Sequence, residues 1–195
     1  MNLDPRTLLP AVLLACLLAC AVATDVRSRR IPNRLVLAGI VAGLALQVTV
    51  TPGAGLFSDP FGALGPLQAC AGMVLGLLLL LPMYALGGMG AGDVKLMAML
   101  GAFLGPSDTL GAGLSSVLAG GILALSVALL HGNLRKAAGN AKHMVLGSVL
   151  RGLAGADARI EAPAAPTGQL PYAVAIACGT VGYLVLTRCL GWSLL

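Results

Sequence analysis

Six apolar stretches, at residues 8–23, 35–50, 67–86, 94–104, 110–130 and 170–186, occupy about half of the 195-residue chain. A helix needs roughly 17–25 apolar residues to span the hydrocarbon layer, and most of these stretches come close to or reach that length. Charged residues make up only 10% of the chain, against about a quarter in soluble domains. The pattern predicts an all-α, polytopic integral membrane protein, with about six transmembrane helices in a single domain covering residues 1–195. The stretch at 94–104 is too short to cross alone. It must borrow flanking Gly and Pro residues or form a half-helix sheltered inside the bundle, where broken backbone at membrane depth is tolerated. Ahead of the first stretch Asp4 stands beside Arg6, and behind it come Asp25 and four arginines. That is the wrong order of charge for an export signal, so the stretch reads as a retained span.

The twelve basic residues set the orientation. Arg27, Arg29, Arg30 and Arg34 lie between the first two spans, Lys95 follows the third, and Arg135, Lys136, Lys142, Arg151 and Arg159 lie between the fifth and sixth. Only Arg6 and Arg188 fall on the other side. Because Lys and Arg accumulate on the cytoplasmic side, both termini are expected outside and the 24–34, 87–95 and 131–169 connections inside. The net charge of +5 then reflects topology, reinforced by attraction to anionic lipid, and gives little support to nucleic-acid binding.

The connections carry less chemistry. Pro32 breaks the helix between the first two spans, with Asn33 a plausible N-cap for the second. The Gly- and Pro-rich 51–66 connection holds Asp59 and reads as an outside loop. Within 131–169, the stretch "NAKHMVLGSVLRGLAG" suggests an amphipathic helix on the inner membrane surface. Pro171 suits the first turn of the last span. Gly39, Gly43, Gly72, Gly76, Gly120 and Gly121 permit close helix approach. Cys16, Cys20, Cys70, Cys178 and Cys189 show no zinc-type spacing and read as small core residues, with neither a disulfide framework nor a metal site expected.

Acidic residues inside the membrane layer cost roughly 2.5–3.5 kcal/mol each and mark candidate functional sites. Asp25 ends the first span and Asp93 begins the fourth, so the topology places both at one level on one side. Asp4, Asp59 and Asp108 fall on the other. Asp25 alone reads as an interfacial charge among arginines. Asp93 follows four glycines, Gly87, Gly88, Gly90 and Gly92, whose backbone can approach another chain closely; the plainer reading is that Asp93 caps its helix. Two acids at one level permit paired-carboxylate chemistry, in which one member takes a proton from water and the other polarises a carbonyl. That chemistry needs no metal, serine or thiol. His131 and His143 read as surface residues, and Ser115, Ser116 and Ser126 have no matched base. Since a helix N-terminus favours a charged carboxylate and a C-terminus does not, Asp93 is expected to be the base and Asp25 its protonated partner.

These residues resemble a known family. "GMGAGDVKLMAMLGAFLG" is similar to the GxGD signature of prepilin peptidases, "TDVRSRRIPNRL" resembles their first aspartate with its Ile-Pro-Asn corner, and "TGQLPYAVAIACG" resembles the Pro-aromatic motif that opens their last span. The resemblance implies an aspartic endopeptidase with Asp25 and Asp93 as the catalytic pair. Gly90 and Gly92 would shape the catalytic loop together with Lys95, whose role spacing does not supply, since positions two apart on a helix face different ways. Pro32, Asn33, Pro171 and Tyr172 would line the site. The implied substrate is a prepilin or pseudopilin, cut at the cytoplasmic face of the inner membrane between its short basic leader and its hydrophobic helix, typically after Gly. No cofactor is implied; membrane lipid and the pilus assembly machinery are the further partners. Larger members place a CxxC-containing domain before the first aspartate and also methylate the product. Only 24 residues precede Asp25, so the chain resembles the small, peptidase-only form of Flp-type (tight-adherence) pili.

Two other classes stay open. A presenilin-like intramembrane protease shares the GxGD motif, but its first acid follows Tyr, whereas Thr24 precedes Asp25 here. A small transporter or channel would use Asp93 and Lys95 as an ion or proton site near the bilayer midplane, and would need a pathway to both sides.

Overall fold

The computed structural model describes residues 5–58, 60–86, 89–130 and 171–190. The amphipathic segment expected within 131–169, His131 and His143, Gly87 and Gly88, Asp4 and Asp59, and the side chains of Arg188 and Cys189 lie outside the described residues and side chains. The chain folds as α1 (Pro5–Ser28), α2 (Asn33–Thr49), α3 (Pro66–Ala85), α4 (Ala91–Leu130) and α5 (Tyr172–Leu190). Among the described residues there is no strand; the connection from α2 to α3 holds two isolated bridges, Pro52 with Ala63 and Gly55 with Gly62. By length and composition α1, α3 and α4 can each cross a membrane, and α2 and α5 are shorter apolar helices. The chain is a polytopic, all-helical membrane protein.

The expected fourth and fifth spans form one element. Straight, the 40 residues of α4 would measure about 60 Å at 1.5 Å per residue, twice the roughly 30 Å hydrocarbon layer. The helix turns back instead at Gly105, where φ is 74° and ψ 177°, a conformation that suits only glycine. Pro106, with no N–H to continue the ladder, follows. The reversal is visible in what the two arms touch. Gly76 faces Met97 and Gly72 faces Gly101, so the first arm runs antiparallel to α3. Gly111 faces Tyr183, Gly179 faces Ser116 and Gly120 faces Tyr172, so the second arm runs antiparallel to α5. Gly113, eight residues past the corner, lies where a Cβ would stand 3.0 Å from the Cε of Met97, eight residues before it.

The first arm is the sheltered half-helix that its length demanded. Asp93, Val94 and every residue from Leu96 to Gly105 are buried, while Lys95 alone in that run is exposed. Close packing against α3 depends on glycine: a Cβ at Gly72 would collide with the Gly101 carbonyl oxygen, and one at Gly76 with that of Met97. On the outer side of the corner, Gln47 ties α2 to both neighbours. Its Nε2 donates to the Phe103 carbonyl at 3.0 Å, and its Oε1 accepts from the Leu64 N–H at 2.8 Å. A buried amide is stable only when satisfied on both sides in this way.

Three expectations are corrected. Cys16, Cys20, Cys70 and Cys178 are exposed rather than core residues, because the outward surface of a membrane helix is itself apolar and small hydrophobes are at home there. Asn33 is the first residue of α2 and Pro32 holds the cap position in extended conformation, with no side-chain cap bond. Gly121 has no atom within 4 Å of its added Cβ, unlike the other five span glycines.

Candidate active site

On α1, Leu14, Leu18, Ala21 and Asp25 are all buried, and their spacing of four, three and four follows a single helical stripe. Asp25 is therefore the last residue of the inward face of α1. The helix stops one turn later, at Arg29, which has φ 53° and donates its N–H to the Asp25 carbonyl at 2.9 Å. This is a left-handed helix ending of the kind usually given to glycine. Inside the bundle, the Asp25 Oδ2 accepts the N–H of Ala173 at 3.1 Å. Ala173 lies in the first turn of α5, where backbone donors have no intrahelical partner.

Asp93 is the third residue of α4. Its carboxylate accepts the N–H of Gly90, and its own N–H donates to the Gly90 carbonyl at 3.2 Å. An acid three residues past the cap that reaches back to the cap N–H forms half of a capping box. Asp93 is thus not the N-cap residue itself, a position that Gly90 holds, but serves the helix start from inside the first turn. Gly92 lets the loop settle on the α1–α2 corner: a Cβ there would stand 3.3 Å from the Cβ of Ile31.

Asp25 is 8% and Asp93 9% exposed, and the two carboxylates are near enough to repel each other electrostatically. Tyr172 is half-buried and within the field of Asp93; its ring closes over Gly120, where a Cβ would fall 2.8 Å from Cε2. The C-terminus of α1 and the N-termini of α2, α4 and α5 thus converge at one end of the bundle. Gly105 and the 51–65 connection lie at the other. Among the described residues no three His, Cys, Asp or Glu side chains cluster.

Lys95 points away from the acids, as its two-residue offset requires. Its Nζ donates to Asn33 Oδ1 at 3.0 Å. This joins the glycine loop's helix to the start of α2, so Asn33 braces Lys95 rather than meeting the acids. Pro32 is exposed at the corner, and Pro171 stands just before α5, its carbonyl accepting the Val174 N–H at 3.2 Å. Two features escaped sequence reasoning, the Ala173 N–H on Asp25 and the Lys95–Asn33 tether. Both join residues far apart in the chain, and neither has a local signal. The first also changes the chemistry. With α5 starting on Asp25 and α4 starting at Asp93, both acids meet a helix N-terminus, so helix polarity no longer assigns them unequal roles. What remains is a pair of buried carboxylates able to divide acid and base work between them.

A scan against family models matches residues 12–125 to the type IV leader peptidase family, a region that holds both acids, the Ile31–Asn33 corner and the glycine loop. Neither a curated protein nor a solved structure matches the chain. With more than half of its length matched, the chain belongs to the type IV leader peptidase family.

Proposed function

We propose that the protein is an aspartic endopeptidase that removes the short basic leader of Flp-type prepilins at the cytoplasmic face of the inner membrane, with Asp25 and Asp93 as its catalytic pair. Family membership makes it a protease with a prepilin-type substrate; the aspartic chemistry, the pilin class and the membrane face are the proposal's own. The observation that carries it is the burial of two acids, 68 positions apart in sequence, in one electrostatic environment at one end of the bundle.

In the proposed reaction one carboxylate removes a proton from water as the oxygen attacks the scissile carbonyl, and the carboxylic acid of the other donates its proton to the carbonyl oxygen. Collapse of the gem-diol intermediate breaks the C–N bond: the amine takes the proton gathered by the first acid, and one hydroxyl returns its proton to the second, which restores the starting pair. Ala173 N–H holds the Asp25 carboxylate by Oδ2, and Gly90 N–H holds that of Asp93. A site at the end of the bundle suits a substrate whose helix stays in lipid while its polar leader lies outside. Gly90 and Gly92 shape the loop, Lys95 and Asn33 brace it, and Tyr172 closes one side.

The test is product mass. Purified protein in lipid nanodiscs, mixed with an Flp-type prepilin, is expected to release a leader that ends in Gly at the border of the hydrophobic helix. Cleavage elsewhere, or an intact substrate under conditions where a known leader peptidase cuts it, counts against the proposal.

A further inference from the structure

On the face of the first α4 arm turned away from the acids, α2 and α3 stand apart and leave a cavity of about 490 Å³. Leu37 and Ile40 of α2 and Val74 and Leu77 of α3 form its walls, and Ala98 of α4 its floor. Leu37 is 63% and Val74 52% exposed, so the groove opens sideways to the lipid. Its chemistry changes at the end nearer the acids, where Asn33, Arg34 and Lys95 form the mouth. Lys95 spends one of its three donors on Asn33, and among the described residues no carboxylate pairs with Lys95 or Arg34. The groove is thus an apolar slot capped by two cations and an amide.

We infer that this groove binds one anionic glycerophospholipid, with an acyl chain between α2 and α3 and the phosphate on Arg34 and Lys95. Charge and shape favour that occupant over the substrate's own helix. A helix with its side chains is about 10–12 Å across. An acyl chain is far thinner. Positions 93 and 95 also diverge by about 200° around the helix axis, which puts α4 itself between the groove and the acids. A lipid held there clamps α2 to α4 across the Lys95–Asn33 tether without entering the cleavage site.

The experiment is native mass spectrometry of the full chain released from micelles containing phosphatidylglycerol or phosphatidylcholine with the same acyl chains. Wild type is expected to retain one phosphatidylglycerol, preferred roughly thirtyfold over phosphatidylcholine, whose own choline cation neutralises its phosphate, because two cations act on a net-anionic headgroup. Arg34→Gln should reduce that preference to about fivefold, and Leu77→Trp, which fills the slot, should release both lipids. Excess inorganic phosphate should leave the lipid in place. Equal retention of the two lipids by wild type overturns the inference without any variant. So does a preference that survives both substitutions, or displacement by inorganic phosphate alone, which would mark a free-anion site. A photo-crosslinker at position 77 should couple to lipid, and coupling to a prepilin helix would give the groove to substrate instead.

Discussion

Asp93 takes the Gly90 N–H at the start of α4, a service that any helix start needs whether or not chemistry takes place there. Its structural and proposed catalytic duties coincide, which is why sequence alone left both readings open. Asp25 was more legible than its arginine-rich neighbourhood suggested, since Leu14, Leu18 and Ala21 already mark the stripe that it completes. Lys95 was not legible, because its partner Asn33 lies 62 positions away. An exposed hydrogen bond of this kind contributes about 1 kcal/mol. Asn33→Ala is therefore expected to lower the melting temperature by a few degrees and to slow processing severalfold without abolishing it, as read by thermal unfolding and a cleavage time course. At Tyr172 the ring edge lies nearest to Gly120, with Cε2 2.8 Å from an added Cβ and the hydroxyl oxygen farther off at 3.4 Å. Tyr172→Phe should keep cleavage within about threefold of wild type, whereas Tyr172→Ala, which removes a half-buried ring at a cost of about 1–3 kcal/mol, should reduce both activity and stability. Equal loss in the two variants would assign the role to the hydroxyl.

The short apolar run at 94–104 announced an irregular element, and its length was the reason: eleven residues cannot span the membrane but can fill the middle of a bundle. That Gly105 would fold the run back against the next one was not legible, since a Gly-Pro pair marks a break without giving its angle. The outward cysteines were misread for a related reason, because apolar character separates inside from outside in water and not in lipid. Where two helices nearly touch, the consequence is measurable. Gly72→Val drives a side chain into the Gly101 carbonyl and should cost about 1–3 kcal/mol as overpacking. Gly121→Ala meets open space and should stay within about 0.5 kcal/mol of wild type. Gln47→Leu leaves the Leu64 N–H and the Phe103 carbonyl without the side chain that joins them, a loss of about 2–3 kcal/mol. Denaturant titration in mild detergent checks all three, and an unaffected Gly72→Val would mean that α3 and α4 pack less tightly than described.

For the whole molecule, the end of α1 and the starts of α4 and α5 bring the two acids to one end of the bundle, with the Gly105 corner at the opposite end. The charge asymmetry of the sequence is the ground for the proposed sidedness. On that proposal, alkaline phosphatase fused after Leu195 is expected to be active outside the membrane and the same reporter within 131–169 inactive; the reverse pattern would turn the proposed site to the wrong face. The central claim rests on the two acids, and paired acid–base groups contribute rate factors of about 10²–10⁴ each. The most direct measurement is a gel-shift assay in cells that co-express an Flp-type prepilin with wild type, Asp25→Asn or Asp93→Asn at matched membrane levels. Conversion to the shorter pilin by wild type, with at least a hundredfold loss in both variants, is the predicted result; cleavage at the wild-type rate by either variant would make that acid structural and contradict the two-aspartate mechanism.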